Sequence, residues 1–258
     1  MPRNILLVHG AWMNALSWES WVERLRARGH TVVAPSWPHG EGDPAELRAA
    51  PRAELAAVGV PEIVSHYARF ATELDRPILI GHSFGGLFVQ MLLDRGLGAC
   101  GVAIDPAPPK GVFPTLDALK AAFPVVSKWN AGSKVHQMAF ADWQWGWMHT
   151  QPEAEQRAAF ERFVVPTPGK VYAQGAAAPF TDVMTVNFKN KDRAPLLLVA
   201  GLDDRTVSAD MVRSAFRQHQ RGGGRTELRE FAGRTHWICN QPGWEEVCDT
   251  AIDWAEAQ

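Results

Sequence analysis

The 258-residue sequence is poor in cysteine: Cys100, Cys239 and Cys248 are all it has. Three so scattered exclude a disulfide framework and a cysteine-based zinc site. No charge sign dominates either. Lys+Arg 26 stand against Asp+Glu 28, a formal net charge of −2. So flat a balance leaves no basic footprint for nucleic acid and no polybasic lipid anchor. Long apolar runs are missing as well. The first, Ile5 to Val8, reaches His9-Gly10 after only four residues, which is short for a signal-peptide core, and nothing later approaches a membrane span. The expectation is a cytoplasmic chain in a reducing setting, with no nucleic-acid and no membrane partner. What is present is ordinary for a globular chain: 46% hydrophobic and 21% charged residues can build a sizeable core. The length fits one large domain, or one domain carrying an insertion.

Aromatic usage is lopsided, with 11 Trp against 2 Tyr. Trp129, Trp143, Trp145 and Trp147 crowd into one stretch. Indoles carry a large apolar area and one donor, so they suit both cores and ligand pockets.

Apolar runs and punctuation set out the order of elements. Ile5 to Val8 reads as a buried strand, followed by an amphipathic helix with Trp18, Trp21, Val22 and Leu25 on one face and Ser17 as its cap. Gly29 ends that helix, and Thr31 to Ala34 reads as a second strand. Pro35 to Pro61 reads as a long loop with at most one short helix, around Ala45 to Leu55. A helix over Pro61 to Leu74 leads to a strand at Pro77 to Ile80, a helix at Phe84 to Arg95 and a strand at Val102 to Ile104. From 106 to 191 prolines recur and no convincing strand is visible. The rhythm then resumes: strand Leu196 to Ala200, helix Ser208 to Gln218, strand Thr226 to Phe231, helix Trp244 to Ala255. Alternation of this kind predicts an α/β fold, a mostly parallel central sheet with helices on both faces. Residues 1–105 and 192–258 form its core, and 106–191 an inserted helical cap.

The third strand runs into Gly81-His82-Ser83-Phe84-Gly85-Gly86, and a helix begins at once. Gly-x-Ser-x-Gly between strand and helix lifts a serine hydroxyl clear of the sheet on a turn so tight that the flanking glycines let backbone pass closely. The other reading is a glycine turn whose serine merely caps the helix. A serine nucleophile needs a base, and the base needs an orienting acid, in the chain order Ser, Asp/Glu, His, each after a strand. Gly201-Leu202-Asp203-Asp204 follows one late strand and Arg234-Thr235-His236 the next. Of nine histidines, only His236 follows a late strand at the face where Ser83 should emerge; His82 should turn away from Ser83. Asp204 is the preferred acid, with Asp203 and Asp105 as the alternatives. Two amides complete an acyl-transfer site by holding an oxyanion: that of Phe84, after the nucleophile, and that of Ala11, in His9-Gly10-Ala11-Trp12.

These segments resemble the α/β-hydrolase superfamily over essentially the whole chain outside the cap. The resemblance implies a triad of Ser83, Asp204 and His236, with Ala11 as the first-loop oxyanion donor. Serine at position 83 excludes the dehalogenase and epoxide-hydrolase branches, which carry Asp there. The His-Gly-Ala-Trp opening is similar to plant esterases and hydroxynitrile lyases, but those lyases have Lys beside the catalytic His, where this chain has Trp237.

The function expected is hydrolysis of small carboxylic esters or lactones through an acyl-enzyme, with no cofactor and no metal. Trp12, Trp129, Trp143, Trp145, Trp147 and Met148 are candidates to line an apolar or aromatic substrate site; the competing role of the indoles is packing the cap onto the sheet. Alternatives are another chemistry on the same triad (C–C hydrolysis, perhydrolysis, lyase) and a slow-turnover ligand receptor.

Overall fold

A computed structural model describes residues 3–258. Its strands are β1 (Asn4–Val8), β2 (Thr31–Val33), β3 (Ile78–His82), β4 (Cys100–Ile104), β5 (Val135–His136), β6 (Thr167–Pro168), β7 (Leu196–Gly201) and β8 (Thr226–Phe231). Its α-helices are α1 (Glu19–Ala27), α2 (Pro44–Ala49), α3 (Val60–Glu73), α4 (Phe84–Asp94), α5 (Leu116–Val126), α6 (Phe140–Gly146), α7 (Glu153–Phe163), α8 (Gly169–Ala176), α9 (Ala209–Gly222) and α10 (Trp244–Glu256). Six strands make one sheet in the order β2-β1-β3-β4-β7-β8, and every neighbouring pair is parallel.

Parallel strands joined through helices are covered on both sides, which is why their sequences are continuously apolar. Successive side chains point to opposite faces, and the core divides accordingly. Leu6, Val8, Leu79, Ala103, Leu198 and Ala200 pack on one face with α3, α4 and α9. Ile5, Leu7, Ile78, Ile80, Val102, Leu197 and Val199 pack on the other with α1 and α10. Each fully buried Leu or Ile contributes roughly 1.5–3 kcal/mol, so this double core fixes the sheet and with it the positions of the loops beyond its carboxyl edge. Those loops hold the chemistry, as is general for open α/β sheets.

Local departures from the sequence reading have identifiable causes. Ser17 does not cap the first helix. Asn14 accepts the Leu16 amide and starts a 3-10 turn at Ala15–Trp18, while Ser17 donates back to the Asn14 carbonyl. The 35–61 segment holds two short helical pieces, α2 and a 3-10 turn at Ala53–Ala57, because Asp43 caps the first and Pro51 follows its end. Between β4 and β7 the chain is mainly helical, yet β5 and β6 pair antiparallel there. Two-residue strands, one of them ending on Pro168, carry no periodicity to read.

Candidate active site

Ser83 stands between β3 and α4 with φ 57° and ψ −123°. Such a backbone costs a non-glycine residue about 1–3 kcal/mol. Close passage makes it possible: a Cβ on Gly85 would collide with the Val8 carbonyl, and one on Gly10 would lie 2.7 Å from Ser83 Cβ. The β1 loop therefore runs directly beside the serine. Ser83 occupies the N-cap position of α4, but its side chain makes no capping bond, which removes the helix-cap reading.

Ser83 Oγ instead lies 3.1 Å from His236 Nε2, and His236 Nδ1 lies 2.5 Å from Asp204 Oδ2. A carboxylate has no proton to give, so the ring carries its proton on Nδ1 and leaves Nε2 to accept from the serine. The other Asp204 oxygen accepts the amides of Thr206 (2.6 Å) and Val207 (2.8 Å). Burial pushes the His236 imidazole down from its ordinary 6.5, so the ring rests neutral, the form a general base needs. Three loops thus deliver hydroxyl, imidazole and carboxylate in series.

The alternatives for the acid separate cleanly. Asp203 is exposed. Asp105, after β4, is fully buried, and its Oδ1 accepts the Gly201 amide at 2.8 Å. It sits beside the series without taking the His236 Nδ1 proton. His82 packs its ring 4.6 Å from that of His236, an engagement that its position on the turn did not suggest.

The amide of Phe84 belongs to the first turn of α4, where helix geometry leaves N–H groups without intrahelical acceptors. Ala11 is buried on the loop that Gly10 presses against Ser83. His9 braces that loop: Nε2 accepts the Trp37 amide at 3.0 Å, and the Trp37 indole donates to the His9 carbonyl at 3.2 Å. Burial holds His9 down at about 4, hence neutral.

The indoles fall into distinct environments. Trp147 sets its ring edge-on to His236, centroids 4.5 Å apart. Its carbonyl accepts Thr235 Oγ1 at 2.6 Å and the Trp237 amide at 3.2 Å. Trp143 is fully buried, stacked on Trp147 and edge-on to Trp237, so it packs the 106–191 segment onto the β8 loop rather than lining an open space. Met148 is buried with them. Trp145 lies under Lys120, whose Nζ is 3.9 Å from the ring centroid. Trp129 is a correction: it stands 84% exposed, away from the cluster with which its sequence neighbours are packed. Trp12, with φ 66°, donates its indole N–H to the Tyr172 hydroxyl at 2.6 Å.

Tyr172, on α8, also sets its ring edge-on to Phe84 at 5.5 Å. It therefore packs against Trp12, next in sequence to Ala11, and against Phe84, which bears the other candidate oxyanion amide. Sequence reading missed it, as it missed Thr235 and Gln241, whose Oε1 accepts the Thr235 amide and lies 2.9 Å from the Thr235 hydroxyl. The scarcity of tyrosine was the one available signal for Tyr172.

A Ser–His–Asp series at the carboxyl edge of a parallel α/β sheet defines a class of fold and site, and the comparisons agree with it. The chain belongs to the alpha/beta hydrolase family, whose model matches residues 5–249. A carbendazim hydrolyzing esterase of Nocardioides sp. (strain SG-4G) is 32% identical over 98 residues, 36% of this chain and 36% of that protein. The matched stretch is thus about a third of that relative's length. Among solved structures, a monoacylglycerol lipase of Paleococcus ferrophilus superposes with TM-score 0.70 at 23% identity, covering 98% of this chain and 95% of that one. A methylesterase from Arabidopsis gives TM-score 0.72 at 12% identity, covering 99% and 100%. These two likenesses establish the fold.

Proposed function

We propose that the protein is a serine hydrolase that cleaves carboxylic esters or lactones of small, apolar or aromatic substrates through an acyl-enzyme on Ser83. The observation that carries this reading is the continuous hydrogen-bonded series from Asp204 through His236 to Ser83. His236 takes the serine proton as Oγ attacks the acyl carbon, then gives it to the leaving alcohol. Asp204 holds the imidazole in the required tautomer and stabilises its charged form. The amides of Ala11 and Phe84 receive the oxyanion, where donors already in place are worth several kcal/mol. Water, activated by the same imidazole, then releases the acid. Each step moves a proton or an acyl group, so it calls for neither metal nor organic cofactor.

Residues 106–191 act as the cap, and Tyr172 with Trp12 and Phe84 supplies the apolar walls beside the nucleophile. Relatives named as an esterase, a lipase and a methylesterase support ester cleavage. No helix of the described residues is long and apolar enough to cross a membrane, which accords with a cytoplasmic setting. The test is hydrolysis of p-nitrophenyl butyrate and a panel of aryl esters and lactones, together with fluorophosphonate labelling. Turnover and labelling that both vanish in Ser83→Ala support the reading; labelling elsewhere on the chain sinks it.

A further inference from the structure

Two buried carboxyl groups meet beside the His236 imidazole, and the reaction described above uses one. Asp105 directly follows β4, fully buried, with a left-handed φ of 40°. Its Oδ1 accepts the Gly201 amide, whereas Oδ2 is buried and receives no donor among the described residues. The Asp105 and Asp204 carboxyl groups lie within hydrogen-bonding reach of each other. An Asp105 oxygen also lies within 4.8 Å of ring nitrogens of both His236 and His82.

Two ionised carboxylates cannot share so small a space out of water. The titratable groups around them are His82 at the end of β3, His236 and Cys239 beyond β8, and Asp204 beyond β7. None offers a permanent positive charge: burial pushes His82 down and Cys239 up, so both are neutral. One carboxyl must therefore hold a proton. Asp204 receives two amides and the imidazole N–H, while Asp105 receives a single amide. Donors stabilise the charged form, so the charge settles on Asp204.

We propose that Asp105 is a neutral carboxylic acid whose Oδ2–H donates to Asp204, making it a positioning residue for the Asp204–His236 pair. It holds the Asp204 carboxylate under the imidazole and limits the cluster to one negative charge. This role rests on the triad reading given under Proposed function. Burial pushes both carboxyls upward from the ordinary carboxylate range, and the Asp204 charge pushes Asp105 further, which leaves Asp204 the first of the two to ionise.

Asp105→Asn keeps the shape and a donor but cannot ionise. It should retain kcat/KM within a fewfold of wild type on p-nitrophenyl butyrate at pH 7. Asp105→Leu keeps the volume without the donor, and kcat should fall roughly 10- to 100-fold with KM little changed, the cost of removing a hydrogen bond to a charged group. Infrared spectra of the resting protein at pH 7 provide a readout independent of turnover and of how well the Leu variant folds. An undissociated carboxylic-acid C=O band should be present in wild type and in Ser83→Ala, and absent in Asp105→Asn. Absence of such a band from wild type overturns the proposal, as does an Asp105→Asn variant as damaged as Asp204→Asn. If the band is present but Ser83→Ala remains active, the catalytic reading fails while the shared proton stands.

Discussion

Asp203 and Asp204 are adjacent and chemically identical, yet one is exposed and the other receives three hydrogen bonds. Changing Asp204 to Asn replaces an acceptor facing His236 Nδ1 with an amide that can also donate, which favours the wrong imidazole tautomer. On the proposed mechanism kcat should fall about 10⁴-fold with the fold intact, and Asp203→Asn should leave kcat near wild type. Steady-state rates on p-nitrophenyl butyrate, with circular dichroism as the folding control, check both. The indoles provide a second contrast. Trp129→Ala should change neither melting temperature nor acyl-chain selectivity, because that ring stands in solvent. Trp147→Phe should lower kcat by removing the indole set against His236. Equal behaviour of the two variants would contradict the assigned packing. At this scale Ser83, His236 and Asp204 were legible because each follows a strand in a fixed order. Tyr172 and the Trp147 carbonyl were not: one reaches Trp12 from across the fold, and the other is backbone, which no residue type announces.

The end of α6 is tied to the two loops that carry Asp204 and His236. Thr206 Oγ1 donates to the Gly146 carbonyl at 3.0 Å, and Thr235 Oγ1 donates to the Trp147 carbonyl. This part of the 106–191 segment is a brace, not a free flap. Thr235→Val removes the hydroxyl donor and leaves the buried Trp147 carbonyl with the Trp237 amide alone, so the protein should lose about 1 kcal/mol of stability. On the proposed mechanism kcat should fall more than KM rises. Urea titration and kinetics on the same preparation measure the two effects, and an unchanged denaturation midpoint would rule out the brace. Most core elements were readable because strands covered on both faces are continuous apolar runs and α9 ends on Gly223, at φ 82°. The 106–191 segment was not, since its short pieces are set by contacts with the sheet loops: α5, for instance, turns Ala118 and Val125 inward and leaves Leu116 and Phe123 exposed.

Across the whole molecule, buried neutral imidazoles couple folding to pH. Burial pushes His9 to about 4 and His219 to about 3, and pushes His82 down as well, from an ordinary 6.5. Below pH 6.5 the unfolded chain binds protons that the folded chain refuses, so stability present above that value is lost as pH falls. Each such imidazole contributes about 1.4 kcal/mol per pH unit in that window. Asp105 and Asp204 act in the opposite sense, because burial raises both and so favours the folded state at low pH, but His236 is lowered as well, and four imidazoles outweigh two carboxyls. The urea midpoint at pH 5 should therefore lie below that at pH 7.5, and an equal or higher midpoint would contradict this balance.

In the proposed mechanism Ser83 carries the acyl group, and intact-mass spectrometry observes that species. Wild-type protein mixed with p-nitrophenyl acetate and acid-quenched during turnover should gain one acetyl mass, mapping by peptide digestion to Ser83. Ser83→Ala should show no adduct and lose about 10⁴-fold or more in kcat. An adduct on another residue, or full turnover by the alanine variant, would contradict the account.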